Sequence, residues 1–386
     1  MISKKRVAMT KPESTISPFQ YNPGSSPEVV TYLQGIKGGE TDNSYLLVGA
    51  NNSPGPNPVG LVYQGPLDAV QSNGVSGSGK WSIVSIPERF EAAGTSVYGP
   101  DRLPGVDRVN YVGAFTRDTE GSPTPFDPAV VGFTYAGRSD GSTTRGWRSI
   151  QGITKSRQRA TYTFVHSVDG GLAVGNADEA DRDGRTGYFS LKSTAFLVDL
   201  QNGQQSFIRF PGDRNPLVTH TAYGIWQNNN RSYTIAGGSG SVLDSKDDTL
   251  AIGDGYLIDY DPITGRFFNY QTFSYNNEKD GADLITHFEG IYRDDDGAYH
   301  LPATSVDLNG DEELAIASVA TIERDRSGAF KEAAEWNTLD IMKSGTDIES
   351  VFSTANSIYG DQVVGFANYP DGDGSVEPLS FVVDLS

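Results

Sequence analysis

Histidine is scarce in this chain, with four among 386 residues. Three of them, His166, His220 and His287, fall in short stretches of similar make-up: YTFVHS (162–167), HTAYGIW (220–226) and THFEGIY (286–292). Imidazole serves both as a transition-metal ligand and as a general acid or base. Stretches lying side by side would bring three imidazoles toward one point, with Tyr223 and Glu289 close by as acid, base or orienting group. Such a set suits a metal centre with an open water position, or metal-free acid/base catalysis on a small molecule. Register works against full convergence. His220 stands four residues before Gly224 and His287 three before Gly290, so strand alternation sends the two to opposite faces unless one strand carries a bulge. The competing reading is three unrelated histidines hydrogen-bonded near a channel.

Acidic loops form a second group. EADRDG places Glu179, Asp181 and Asp183 at the first, third and fifth positions of a calcium-type loop with Gly184 at the sixth, but Ser190 stands where a bidentate Glu belongs. DLNGDEE offers Asp307, Asn309 and Asp311, and YPDGDGSVE offers Asp371 and Asp373, followed by Glu377. Calcium is the ion expected if any of these loops binds one. The same residue types form Asx-turns for conformational reasons alone. GxSxG, P-loop, HExxH and helix-opening GxGxxG motifs are absent. A glycosidase carboxylate pair cannot be picked from 49 Asp and Glu by sequence.

The elements that position these residues repeat. A short apolar strand recurs as GLVYQG (60–65), GFTYAG (132–137), AFLVDL (195–200), GYLIDY (255–260), ASVATI (317–322) and SFVVDL (380–385), with first residues 72, 63, 60, 62 and 63 positions apart. Before each lies a strand ending in a small residue, such as YLLVGA (45–50) or QVVGFA (362–367), and before that the histidine-bearing type of strand. A fourth strand follows five copies, as in WSIVSI (81–86), and the sixth copy ends at Ser386 without one. STISPFQYN (14–22) is an orphan strand that could complete it.

Four antiparallel strands at constant period, with the last unit finished from the other end of the chain, predict an all-β fold: a six-bladed β-propeller. Closure removes an open sheet edge. A linear solenoid is the alternative, but neither terminal copy resembles a polar cap. The expected organisation is a segment 1–13 and a single domain 14–386, with blades near 30–87, 95–153, 160–212, 217–275, 283–341 and 350–386 plus 14–22. Only KEAAEW (331–336) and PERFEAAG (87–94) look briefly helical. Trp81, Trp147 and Trp336 fall on fourth strands, where packing between blades is expected.

TANSIYGDQVVGFA with LSFVVDL, and HTAYGIWQNNNRSYTIAGG with GYLIDYDPITGRF, resemble the bacterial extracellular HAF-type repeat, a "GIN..G..VVG" strand pair followed by an "AFLY..G" strand. The resemblance runs over copies three to six and implies a β-repeat architecture with no catalytic residues to carry over. Copy three departs from it with His166-Ser167 in place of the Gly-Ile pair, and copy five with Pro302 in place of glycine.

A formal charge of −19 repels polyphosphate, so nucleic acid is excluded as an expected partner. No stretch is long and apolar enough to span a bilayer as a helix. Without cysteine, neither disulfides nor thiolate metal sites are available. MISKKRVAMTKPEST lacks an apolar signal core, which leaves a cytoplasmic location open beside an extracellular or surface one. Two functions follow: a binding module for a glycan or protein with calcium-ordered loops, or an enzyme whose site at the channel mouth uses His166, His220, His287, Tyr223 and Glu289 on a small molecule.

Overall fold

The computed structural model describes residues 15–26, 29–52, 57–68, 74–103, 107–118, 124, 126–155, 157–178, 193–210, 218–242, 251–277, 284–307, 314–343, 346, 348–371 and 375–386. Strands rich in Val, Ile, Tyr and Phe, punctuated by Gly turns, give an all-β chain. After β1 (Thr15–Pro18), the first unit is β2 (Thr31–Gly38), β3 (Tyr45–Asn51), β4 (Val59–Gly65) and β5 (Lys80–Val84). The second is β6 (Gly94–Arg102), β7 (Arg108–Thr116), β8 (Val130–Arg138) and β9 (Trp147–Ile150). The third is β10 (Tyr162–Asp169), β11 (Leu172–Asp178), β12 (Ser193–Asp199) and β13 (Gln205–Phe207).

In the fourth unit the inner strand is broken into β14 (Val218–His220) and β15 (Gly224–Gln227), followed by β16 (Tyr233–Val242), β17 (Ala251–Asp261) and β18 (Arg266–Phe273). The fifth is likewise broken, as β19 (Leu284–Phe288) and β20 (Tyr292–Arg293), then β21 (Tyr299–Asp307), β22 (Leu314–Ile322) and β23 (Glu335–Thr338). The last unit is β24 (Phe352–Tyr359), β25 (Gln362–Pro370) and β26 (Val376–Asp384). Its fourth strand is β1, antiparallel to β26 with Thr15 opposite Asp384 and Pro18 opposite Phe381.

Within each unit the strands pair antiparallel in chain order. Single parallel bridges, Val130 with Tyr162, Gly253 with Ile285 and Ala315 with Phe352, tie the third strand of a unit to the first of the next. The core is divided among the junctions. Six clusters of buried residues each straddle two consecutive units, and one of them joins last to first through Phe19, Leu33, Leu47, Tyr63, Val364 and Val382. Each fully buried Leu, Val or Phe stabilises by about 1.5–3 kcal/mol relative to exposure, so these junctions hold the units together. Buried tyrosines add directional bonds: Tyr111 donates to the Ser139 carbonyl at 2.6 Å and Tyr256 to that of Thr221 at 2.6 Å.

The tryptophans sit as expected on fourth strands. Trp147 packs on Phe133 and Tyr135, Trp81 on Phe19 and Tyr63, and Trp336 on Phe288. The two helix-like stretches behave differently from their local pattern. PERFEAAG holds one 3₁₀ turn, Glu88–Phe90, and the end of KEAAEW is drawn into β23 by pairing with β22. Tertiary pairing there overrides weak helix propensity.

Candidate functional site

The inner strand of every unit is irregular at one point. Pairing slips between Leu33 and Gly35, Val97 and Gly99, Val165 and Ser167, and Ala355 and Ser357. A bulge leaves one residue outside the ladder and re-aims its side chain. The residues so released are Gln34, Tyr98, His166 and Asn356, and Tyr223 and Glu289 occupy the corresponding place in the two broken strands. All six line one cavity. Two residues earlier on each strand stand Tyr32, Ser96, Phe164, Thr221, His287 and Thr354, all partly exposed while the residues between are buried. Alternation places them on the same face as the released residues, one tier nearer the end at which the inner strands begin.

Small residues make the bulges fit. On second strands, a Cβ at Gly49, Gly113, Gly175, Gly237 or Gly365 would overlap the carbonyl of Tyr32, Ser96, Phe164, Thr221 or Thr354. Unit five has Ala303 there, opposite Phe288, and the carbonyl of the preceding Pro302 accepts the Glu289 N–H at 2.8 Å in the gap of the broken strand, as that of Ala236 accepts the Tyr223 N–H in unit four. The residue after each released side chain abuts the next unit: a Cβ on Gly35 would meet the Tyr98 carbonyl and one on Gly99 that of His166. Where Ser167 and Ser357 replace glycine, their Oγ atoms accept the N–H of Ile225 at 3.4 Å and of Ile36 at 3.3 Å. Ser167 therefore preserves the junction by a different contact, which explains the departure in copy three.

The space open to the centre of a water molecule is about 40 Å³. At roughly 10–15 Å³ for one water, this admits only a few, so a larger ligand must rest on the outer tier. The opposite end is crowded. Lys37 Nζ lies 2.8 Å from Asp169, 4.0 Å from Asp101 and 4.7 Å from the Trp226 ring centroid. Burial pushes the Asp101 carboxyl up to about 6, against the opposing pull of Lys37. Burial also disfavours the Lys37 cation, but the two aspartates more than offset it and its pKa is raised.

Four of the five histidine-group residues expected from sequence meet at or beside this cavity. His166 stacks on Tyr223 at 3.6 Å between centroids and on Tyr98 at 5.1 Å. Burial drives the His166 pKa down to about 3, so the ring is neutral, and holds the Tyr223 phenol protonated by raising its pKa. His287 meets Tyr223 edge-on at 4.4 Å, its Nε2 is 2.5 Å from Thr221 Oγ1, and its Nδ1 is 3.3 Å from Glu289 Oε1. Gly238 leaves the room: a Cβ there would overlap the His287 ring.

His220 is not part of the site. It is buried on the other face, flat against Phe210 at 3.7 Å and beside Tyr256 and Tyr270, in the junction between units three and four. The opposite-face alternation of His220 and His287 is the physical reason. The three imidazoles do not form one ligand set, and among the described residues no group of three or more His, Cys, Asp or Glu is placed to hold a metal ion. Glu179, Asp181, Asp183, Asn309, Asp311 and Asp373 lie outside the described residues. Asp307 ends β21, and Asp371 is exposed, its N–H donating to the Ser375 carbonyl at 2.8 Å.

Sequence reasoning missed Gln34, Tyr98, Thr221 and Asn356, and a buried chain behind His166. His166 Nε2 is 2.7 Å from Asn176 Oδ1, Asn176 Nδ2 is 3.0 and 3.1 Å from the Asp178 oxygens, and Ser193 Oγ donates to Asp178 at 2.6 Å. The available signal was two polar residues at alternate positions of the otherwise apolar strand LAVGNAD.

No family model matches this chain, and no curated protein does. Among solved structures, an α-L-arabinanase of Penicillium chrysogenum complexed with arabinobiose is 13% identical, with 97% of this chain and 99% of that one covered at a TM-score of 0.49. A GH93 α-L-arabinofuranosidase of Fusarium graminearum, also with arabinobiose, is 14% identical over 97% and 98% of the two chains at 0.48. The polysaccharide lyase Uly1 is 9% identical over 96% and 100% at 0.46. None of their residues carries over to this chain.

Proposed function

We propose that the chain is a six-bladed β-propeller closed by its N-terminal strand, and that the mouth of its channel is an acid/base site for a polyhydroxylated, glycan-type small molecule. One observation supports this above the rest: Thr221, His287 and Glu289 stand in a row in which the imidazole bonds a hydroxyl through Nε2 at 2.5 Å and has a carboxylate 3.3 Å from its Nδ1, near it without a formed hydrogen bond. That order of hydroxyl, base and orienting acid is the arrangement by which an imidazole moves protons. Tyr223, protonated and edge-on to His287, is a proton donor of the same site. The ligand class follows from the outer tier, where the rings of Tyr32 and Phe164 supply stacking faces among the polar groups of Ser96, Thr221 and Thr354.

A second reading, glycan recognition without turnover, is favoured by the carboxylate count. Glu289 is the single carboxylate among the described residues lining the cavity, whereas glycoside hydrolysis ordinarily uses two. Calcium at the loops of Asp307 and Asp371 and an extracellular setting belong to this second reading. Among the described residues no helix is long and apolar enough to cross a membrane.

Calorimetric titration with a panel of neutral oligosaccharides, followed by mass analysis of products, tests both readings. Under the first, wild type binds and converts one of them, and His287→Ala binds it without turnover. Binding with intact ligand in both proteins selects the second. Absence of binding across the panel, or binding indifferent to Tyr32→Ala combined with Phe164→Ala, overturns both.

A further inference from the structure

The neutral His166 ring carries one proton, and the side chains behind it decide which nitrogen holds it. Asp178, a buried carboxyl on β11, contacts Asn176 Nδ2 with both oxygens, at 3.0 and 3.1 Å. An amide pointing its NH₂ at Asp178 turns its carbonyl oxygen the other way, toward His166 Nε2 at 2.7 Å. A carbonyl oxygen only accepts, so the Nε2 position must be the protonated one. Ser193 donates to Asp178 Oδ1 at 2.6 Å and helps to hold the carboxyl in place. Burial raises the Asp178 pKa, yet a protonated Asp178 still accepts from Asn176 through its carbonyl oxygen, so the direction of the chain is the same in either state.

Both faces of the imidazole are covered, by Tyr98 at 5.1 Å and 29° and by Tyr223 at 3.6 Å and 16°. Only its edge remains for a ligand. With Nε2–H committed to Asn176, that edge is the bare Nδ1.

We propose that Asp178 is a positioning residue which, through Asn176, fixes the tautomer of His166 so that an unprotonated Nδ1 is offered to the channel as a hydrogen-bond acceptor. This deepens the reading of the channel as a ligand site and rests on it. A ligand group that meets His166 must then be a donor, such as a hydroxyl, and a site built to pair a hydroxyl discriminates strongly against the analogue that lacks it.

The test is a two-bond ¹H–¹⁵N spectrum of the full chain labelled at histidine, near neutral pH, with His166 assigned by its loss in His166→Gln. Wild type is expected to show His166 as the pure Nε2–H tautomer. Asp178→Ala, which presents no acceptor to Asn176, is expected to bring in the Nδ1–H form, whereas Asp178→Asn, which keeps one carbonyl acceptor, retains the wild-type tautomer, with circular dichroism unchanged in both. A wild-type ring protonated on Nδ1 overturns the proposal without any variant. An Asp178→Ala protein that keeps the pure wild-type tautomer overturns the role of Asp178. Because the tautomer is read in ligand-free protein, failure here leaves glycan binding standing, and failure of glycan binding leaves this assignment standing.

Discussion

His166 and Tyr223 lie ring on ring, 3.6 Å between centroids and 16° from parallel, although they belong to different four-stranded units. The contact removes the imidazole from water, and that desolvation lowers its pKa to about 3 from an ordinary 6.5. Between those values the unfolded chain binds more protons at this residue than the folded one. Stability must therefore rise with pH across the window, by up to about 1.4 kcal/mol per pH unit from this group. Urea unfolding of wild type and His166→Gln at pH 4, 5 and 6.5 is expected to give a difference that shifts toward the wild type as pH increases. Asp101, whose raised pKa acts in the opposite sense, is common to both proteins and cancels. A difference that stays flat with pH would show that His166 is not held neutral by its surroundings.

The site also depends on a residue with no side chain. Gly238 faces the His287 ring, and a methyl group there would overlap it. Gly238→Ala should displace the imidazole from Thr221 and Glu289 while leaving every polar group of the channel present. On the acid/base reading, turnover falls at least tenfold and affinity for the oligosaccharide changes little. Equal turnover in variant and wild type would remove His287 from the chemistry.

Most of the fold is readable in the sequence because each copy repeats its aromatic and aliphatic positions at nearly constant spacing. The opposed faces of His220 and His287 are readable as well, from their different offsets to Gly224 and Gly290. Thr221 is not, since threonine is common in strands and acquires meaning only from lying two places before Tyr223, in a break of the inner strand that no single copy announces. Gln34, Tyr98 and Asn356 share one local signal, a position just before a Gly or Ser followed by Ile or Pro, which becomes informative only when the inner strands of different units are brought to one cavity. Asn176 and Asp178 are legible as oddities in an apolar strand, but their partner comes from the neighbouring strand.

The pairing of β1 with β26 makes a separate prediction about the N-terminus. β1 covers the edge of β26, and Phe19, just beyond it, is buried in the junction of the first and last units. Removing residues 1–20 uncovers a strand edge and empties a Phe-sized part of that core, a loss of about 3–5 kcal/mol from the side chain alone. The truncated protein should melt at lower temperature and aggregate in a concentration-dependent way by light scattering. A melting curve identical to that of the full chain would mean that the junction does not need its fourth strand.

Wild-type stability also draws on charges at the crowded end of the cavity. Lys37 reaches Asp169 at 2.8 Å and Asp101 at 4.0 Å, with all three side chains largely shielded from water. Lys37→Met keeps the length of the stem but leaves two carboxylates facing each other without a cation. Breaking a buried pair from one side costs about 3–5 kcal/mol, and the partial exposure here places the expected loss nearer 2. Adding Asp169→Asn removes the repulsion, so the double variant should regain part of that stability, and the cycle of four proteins should show coupling. The pH dependence has a definite sign. In wild type, Asp101 titrates at about 6, above its ordinary 3.8, so its contribution is present in acid and is lost as pH rises through 6. Without Lys37 to favour the anion, that loss must move to higher pH, which the pH dependence of unfolding in Lys37→Met will register. Additive losses in the cycle, with no displacement of the pH profile, would mean that Lys37 and the aspartates do not act as a unit.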